Sequence, residues 1–234
     1  MDSAAARRGV VRVCRRLDER GLIAGQDGNV SVRLGPDRIL ITPAGFSKAD
    51  VTEEDLVTLG LDGARVEGRH EASTEVAMHL AVYRTRPDVG AVVHAHPPIA
   101  TGFGVAGETL PAGVLPELAV LVGEVPLVPY GMPGTAALPA AMAPFLPNHD
   151  AFLLANHGVT TLGRTLEEAH QRMESVEHCA AILLTARHLG RVNALGAADL
   201  RQLLEARRRR GGGTADTRLG PSAGPIGGNT RSEA

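Results

Sequence analysis

The apolar positions change period several times along the chain, and each change predicts an element. Over residues 3–20, Val10, Val11, Val13, Cys14 and Leu17 form one stripe among arginines, the spacing of an amphipathic helix stopped at Gly21. The pattern then alternates. Val30 and Val32 predict a strand entered through the tight turn Gly28-Asn29, and Arg38–Thr42 predicts a second after Pro36-Asp37. Thr52–Asp55 fits an N-cap with an acid at N3 opening a short turn, and a hairpin through Asp62-Gly63 carries the chain to residue 68. Helical spacing returns up to about Arg86. Val76, Met78, His79, Leu80, Val82 and Tyr83 supply the apolar face, Ser73 or Thr74 is the expected cap, and Pro87 is the stop.

Two runs are apolar on both faces, as expected of buried strands: Ala91–Ala95 and Asp150–Ala155. Between them a loop is expected around Phe103 and Gly104. Leu118–Val122 and Val125–Val128 read either as short strands or as a strand after a helical turn. Tyr130–Thr135 reads as a turn capping a helix through about Phe145. Asn156-His157-Gly158 ends the second buried run, and Thr160–Leu162 continues as strand. Thr165-Leu166-Glu167-Glu168 is a capping-box pattern opening a helix to about Leu189. On that helix Glu174, Glu177, His170 and His178 read as surface or packing residues. A last helix is expected over 197–209. Gly211–Ala234 has no apolar period and reads as a disordered tail, leaving one domain over residues 1–210.

Composition narrows the classes. With 234 residues, 44% hydrophobic and a formal net charge of −2, the chain suits one large soluble domain and gives no reason to expect nucleic acid or an anionic membrane as partner. No apolar run reaches membrane-spanning length, and two cysteines make no disulfide framework, so the cytoplasm is the expected compartment. Aromatic residues are only 3%, with no Trp, which argues against an aromatic-lined platform for a sugar or base.

The chemistry centres on Ala91-Val92-Val93-His94-Ala95-His96-Pro97. Positions i and i+2 of a strand share a face, so His94 and His96 project side by side and could grip one metal ion; a solvent-facing pair is the plainer alternative. His157 brings a third imidazole to a strand end. Three nitrogens with one open position form a catalytic zinc arrangement, with manganese or cobalt as alternatives. Glu75 falls in a helix first turn, where an acid is favourable for the dipole and could also serve as a general base. Gly28-Asn29, Gly45 and Ser73-Thr74 are candidate anion contacts at backbone turns and a helix start. Metal, base and phosphate cradle together suggest proton abstraction beside a carbonyl, through an enediolate.

Gly28-Asn29-Val30-Ser31, Thr42-Pro43-Ala44-Gly45, Ser73-Thr74-Glu75, Ala91–His96 and Asn156-His157-Gly158 occur in the order seen in the class II aldolase/adducin family, which the chain resembles over about residues 5–205. The resemblance implies a three-layer α/β/α domain with a central, largely antiparallel sheet, and a homotetramer with active sites between subunits. It implies His94, His96 and His157 as zinc ligands and Glu75 as the acid/base. Gly28, Asn29, Gly45, Ser73 and Thr74 are implied to bind the phosphate of a small ketose 1-phosphate, which would be cleaved to dihydroxyacetone phosphate and an aldehyde. Family dehydratases, 4-epimerases and decarboxylases use the same enolate machinery, and non-catalytic adducin heads share the fold. Two features depart from the sugar-phosphate aldolases. Their catalytic tyrosines have no counterpart, the first falling near Leu115 and the tail holding no Tyr, and Ala44 replaces a hydroxyl residue.

Overall fold

In the computed structural model, residues 3–209 are described; the expected disordered tail lies outside them. The elements follow as α1 (Ser3–Glu19), β1 (Asn29–Arg33), β2 (Arg38–Ile41), a 3-10 turn (Glu53–Asp55), β3 (Val57–Gly60) and β4 (Arg65–Glu67). Next come α2 (Val76–Thr85), β5 (Ala91–Ala95), α3 (Pro98–Val105), a 3-10 turn (Ala112–Val114), a π-type helical turn (Leu118–Val122) and β6 (Leu127–Val128). The chain closes with α4 (Ala137–Met142), β7 (Ala151–Leu154), β8 (Gly158–Gly163), α5 (Leu166–His188) and α6 (Ala197–Arg209).

One eight-stranded sheet runs β4-β3-β2-β1-β5-β8-β7-β6, antiparallel throughout except for the β6–β7 pair. Strand parity divides its two faces. On one, Val30, Val32, Val93, Ala95, Leu153 and Val159 pack with Val10, Cys14 and Leu17 of α1 and Met173, Val176 and Ala180 of α5. On the other, Ile39, Ile41, Val92, Phe152 and Leu162 pack with Met78 and Val82 of α2 and Leu138 and Met142 of α4. These are the three layers expected, α/β/α. Even-numbered His94 and odd-numbered Asn29 and Ser31 carry the parity that faces α2.

Two local expectations change, and an open one is decided. The loop expected around Phe103 is the helix α3. It starts with Pro98 at N1, where the missing N–H costs nothing, and Glu177 on α5 accepts from the free N–H groups of Ile99 and Ala100 at 3.0 and 2.8 Å. So Glu177, read as a surface or packing residue, caps a neighbouring helix. Of the two readings of residues 118–128, the strand after a helical turn is the one observed, with Leu118–Val122 as the turn and Leu127–Val128 as the strand. The capping hydroxyl expected at α2 is not in the N-cap position: Glu75 itself occupies it, and Ser73 Oγ accepts from the Glu75 N–H at 3.3 Å.

Candidate active site

The site forms where β1, β5 and β8 end beside the start of α2. His94 pairs with Asn29 on one side and Thr160 on the other. Its Nδ1 lies 2.9 Å from the Val159 carbonyl oxygen, which can only accept, so Nδ1 carries the hydrogen and Nε2 a lone pair. His96 Nε2 lies 3.2 Å from that Nε2, and the other His96 nitrogen faces Asp27 Oδ2 at 3.3 Å. His157 enters from the tight β7–β8 turn, where Asn156 takes the left-handed conformation at φ 54°. Gly158 is required here, since a Cβ would come within 2.5 Å of His96 Cδ2 and 2.7 Å of the Ala95 carbonyl oxygen. Glu75 closes the group, with Oε1 3.1 Å from His157 Nε2 and Oε2 3.2 Å from His94 Nε2.

These residues fit a metal. One nitrogen of each imidazole lies within 4.8 Å of the others. Lone pairs from His94 and His96 face each other and a carboxylate, an arrangement repulsive without a cation among them. Glu75 Oε1 is buried and accepts no hydrogen bond among the described residues. Burial pushes the Glu75 carboxyl up, and positive charge on the His94 and His157 side is what outweighs it and holds the group well below the usual carboxylate range. Burial, reinforced by His94 and opposed by Asp27, pushes His96 down to about 4, so it is neutral and ready to ligate at pH 7.

The candidate anion contacts gather at the same end. Gly28 takes φ +71°, and a Cβ there would meet the His94 carbonyl oxygen at 2.7 Å, so this close approach of β1 to β5 admits only glycine. The Gly45 loop runs beside Ser73-Thr74: the Ala44 N–H donates to Glu71 O at 3.0 Å and the Ser73 N–H to Thr42 O at 3.1 Å. Lys48 joins these segments, donating from Nζ to Gln26 O at 2.9 Å and Phe46 O at 2.6 Å. It is buried, and burial lowers its pKa. It is also the sole lysine of the chain. That singularity was visible in the sequence, and sequence reasoning passed over it.

Sequence reasoning also placed His79 and Tyr83 in apolar packing. Both are buried, but they belong to a polar seam. Asn29 Nδ2 donates to Glu75 Oε2 at 2.8 Å while its Oδ1 faces His79 Nε2. His79 Nδ1 lies 2.6 Å from Ser31 Oγ, which lies 2.9 Å from Tyr83 Oη. Helical spacing contains the signal: Glu75, His79 and Tyr83 are four residues apart. Tyr130 is exposed on the turn before α4, and Leu115 is partly buried against the first apolar layer.

A three-layer fold with three imidazoles and a carboxylate converging at the sheet end defines a candidate metal-dependent enzyme site. Residues 8–184 match the sequence family described as class II aldolase and adducin N-terminal domain. A 3-oxo-tetronate 4-phosphate decarboxylase of Pectobacterium atrosepticum is 34% identical over 182 residues, covering 76% of this chain and 83% of the relative. An L-fuculose phosphate aldolase of Methanococcus maripaludis is 33% identical over 172 residues, covering 74% of this chain and 92% of the relative. Among solved structures, an L-fuculose 1-phosphate aldolase superposes with a TM-score of 0.83 at 31% identity, covering 89% of this chain and 98% of that one. The chain belongs to the class II aldolase/adducin family.

Proposed function

We propose that the protein is a metal-dependent carbon–carbon lyase acting beside the carbonyl of a small phosphorylated sugar or sugar acid, with decarboxylation of a phosphorylated 3-oxo acid as the leading reaction. The observation that carries this reading is the convergence of His94, His96 and His157 on the Glu75 carboxylate. A divalent metal held by the three imidazoles, which suit zinc, would supply a Lewis acid for the substrate carbonyl. Gly28, Asn29, Gly45, Ser73 and Thr74 bind the phosphate in this reading, and Lys48 holds their loops together. Loss of carbon dioxide sends the electrons of the breaking bond towards the carbonyl oxygen, and the carbon left behind takes up a proton. Glu75, about 3 Å from His94 and His157 and ionised at rest, would take that proton from water and pass it to the carbon.

Tyrosine placement favours decarboxylation. Retro-aldol cleavage converts a hydroxyl into an aldehyde, so a second group must take the hydroxyl proton; a departing carboxylate makes no such demand. The chain has two tyrosines: Tyr83 is buried against Ser31, and Tyr130 is exposed. Aldol cleavage of a ketose 1-phosphate to dihydroxyacetone phosphate and an aldehyde is the second reading, favoured by the similarity to L-fuculose phosphate aldolases. A cytoplasmic homotetramer completes the proposal, with Tyr130 and Met132, exposed on the turn beside Thr74, as an edge for a second copy.

The test is a parallel assay of 3-oxo-tetronate 4-phosphate for carbon dioxide release and of a ketose 1-phosphate panel for dihydroxyacetone phosphate, each with and without chelator. Chelator-sensitive carbon dioxide release is expected. Dihydroxyacetone phosphate alone would transfer the assignment to the aldolase reading, and neither product from zinc-loaded protein would overturn both.

A further inference from the structure

The polar seam between β1 and α2 matches two periods. Asn29, Ser31 and Arg33 lie at i, i+2 and i+4 of a strand, and Glu75, His79 and Tyr83 at i, i+4 and i+8 beside a helix. The partners interleave from the site inwards. Glu75 meets Asn29, His79 meets Asn29 and Ser31, and Tyr83 meets Ser31. At the inner end the Arg33 guanidinium lies 4.9 Å over the Tyr83 ring and donates to Tyr83 O at 2.7 Å. Asn29, Ser31, His79 and Tyr83 are all at most 2% exposed. Such a seam is costly in a layer otherwise filled by Met78, Leu80, Val82 and Phe152, unless each group is satisfied.

The hydrogens in this seam can be assigned. An ionised Glu75 only accepts, so Asn29 turns its NH2 towards Glu75 and its Oδ1 towards His79. That oxygen also only accepts, so His79 donates from Nε2. Fully buried and lowered to about 3 by that burial, His79 is neutral, which leaves Nδ1 as an acceptor for the Ser31 hydroxyl. Ser31 then accepts from the Tyr83 hydroxyl. Every donor along the line points towards the carboxylate.

We propose that His79 is a positioning residue: its Nε2–H fixes the Asn29 amide with NH2 facing Glu75, and so orients the carboxylate that carries the proton. Without that donor the amide is free to flip and set its oxygen against the carboxylate, a repulsive contact. The catalytic consequence rests on the reading of Glu75 as the proton carrier; the orientation of the amide does not.

Two measurements on the full chain separate these parts. Long-range 1H–15N correlation of histidine side chains, with His79 assigned by its loss in His79→Gln, should show a neutral Nε2–H tautomer throughout pH 5–8, with or without zinc. An Nδ1–H tautomer or a protonated ring there would overturn the proposal. In the second, His79→Leu should lower kcat on the substrate found above by ~10–100-fold, the range for losing an orienting hydrogen bond. KM should change less than about threefold and zinc content not at all, while His79→Gln, which can still donate to Asn29, should recover most of the rate. Equal losses in the two variants, or an unchanged kcat in His79→Leu, would overturn it. Should His79→Leu fail to fold, Ser31→Ala, which leaves Nδ1 without its donor, should give a smaller kcat loss and a mixed tautomer signal; a wild-type signal and rate would overturn it. Full activity in Glu75→Gln would instead remove Glu75 from catalysis while leaving the tautomer result standing.

Discussion

The two ends of the central sheet each carry a group of buried polar side chains, and the two groups are built on opposite rules. At the far end Asp150, before β7, is met by Arg86 at 3.0 Å, Arg172 at 3.5 Å and Arg207. The arginines find further acceptors in Asp88, in Glu168 and in the carbonyl oxygens of Leu121 and Leu146. Nearly every donor finds an acceptor there, Arg207 Nε being the exception among the described residues, and α6 is tied to the sheet as a result. At the near end, three imidazoles and a carboxylate bring together lone pairs that have too few hydrogens. A cluster of opposite charges that pair holds a fold, whereas one made of acceptors of a single polarity waits for a ligand. The difference separates structure from function without reference to any relative.

The largest test of that contrast is Glu75→Gln. The amide keeps the shape but cannot carry the proton, so turnover should fall by about 10²–10⁴-fold while zinc binding and the unfolding midpoint hold or improve. A drop in thermal stability matching the loss of rate would place Glu75 with the structural clusters instead. Asp150→Ala should do the reverse. Leaving Arg86, Arg172 and Arg207 without their shared acid should cost about 3–5 kcal/mol in chemical denaturation, with zinc affinity unchanged in the folded fraction. Loss of zinc with no loss of stability would break the contrast.

Acid should probe the seam between the two ends. His79 has a folded pKa of about 3 against an ordinary 6.5, so the unfolded chain binds the extra proton as pH falls. Its stabilisation is present above about pH 6.5 and is lost progressively towards pH 3. Burial raises the Asp150 carboxyl, but Arg172, Arg207 and Arg86 outweigh it and lower its pKa, adding an acid-labile contribution of its own. The difference between wild type and His79→Gln isolates the histidine. Wild type should lose on the order of a few kcal/mol more between pH 7 and 4, and parallel stability curves would refute the assignment.

Gly158→Ala perturbs the ligands without removing one. Its Cβ would press on His96 Cδ2 at 2.5 Å and His94 Cε1 at 3.3 Å. Zinc affinity should fall by about 10–100-fold, as when the orientation of ligands is lost, with a stability cost of about 1–3 kcal/mol from overpacking. Zinc titration with a competing chelator reads the first, and denaturant unfolding the second. Wild-type affinity would mean that the histidines have more freedom than their packing implies.

Much of this site was legible because its signals are local. His94-Ala95-His96 needs only strand parity, and Asn156-His157-Gly158 only the end of an apolar run. The order of elements followed from the period changes, and the three-layer fold with its antiparallel sheet from the resemblance. What escaped depended on partners distant in sequence. α3 is stabilised by Glu177, 78 residues from Ile99, so local apolar spacing gave no reason to expect a helix there. His79 looked like packing because its partners lie on another element, 50 residues away at Asn29 and 48 at Ser31. Lys48 escaped for a different reason: its meaning lies in being the only lysine among arginines, which a search for motifs does not register.

The smallest test lies at the structural end, where a correct sequence reading should have a modest, purely structural effect. Thr165 caps α5 by accepting from the Glu168 N–H at 3.2 Å, as its pattern predicted. The Glu168 carboxylate does not return to the Thr165 N–H but accepts from the Arg164 N–H at 2.8 Å and the Arg172 guanidinium at 2.7 Å. Thr165→Ala therefore removes one cap bond and leaves the ion cluster intact. It should cost about 1 kcal/mol in denaturant unfolding, with kcat, KM and zinc content at wild-type values. A loss nearer that of Asp150→Ala would mean that the cap and the cluster form one cooperative unit; a change in kcat would mean that the two ends of the sheet are coupled through α5.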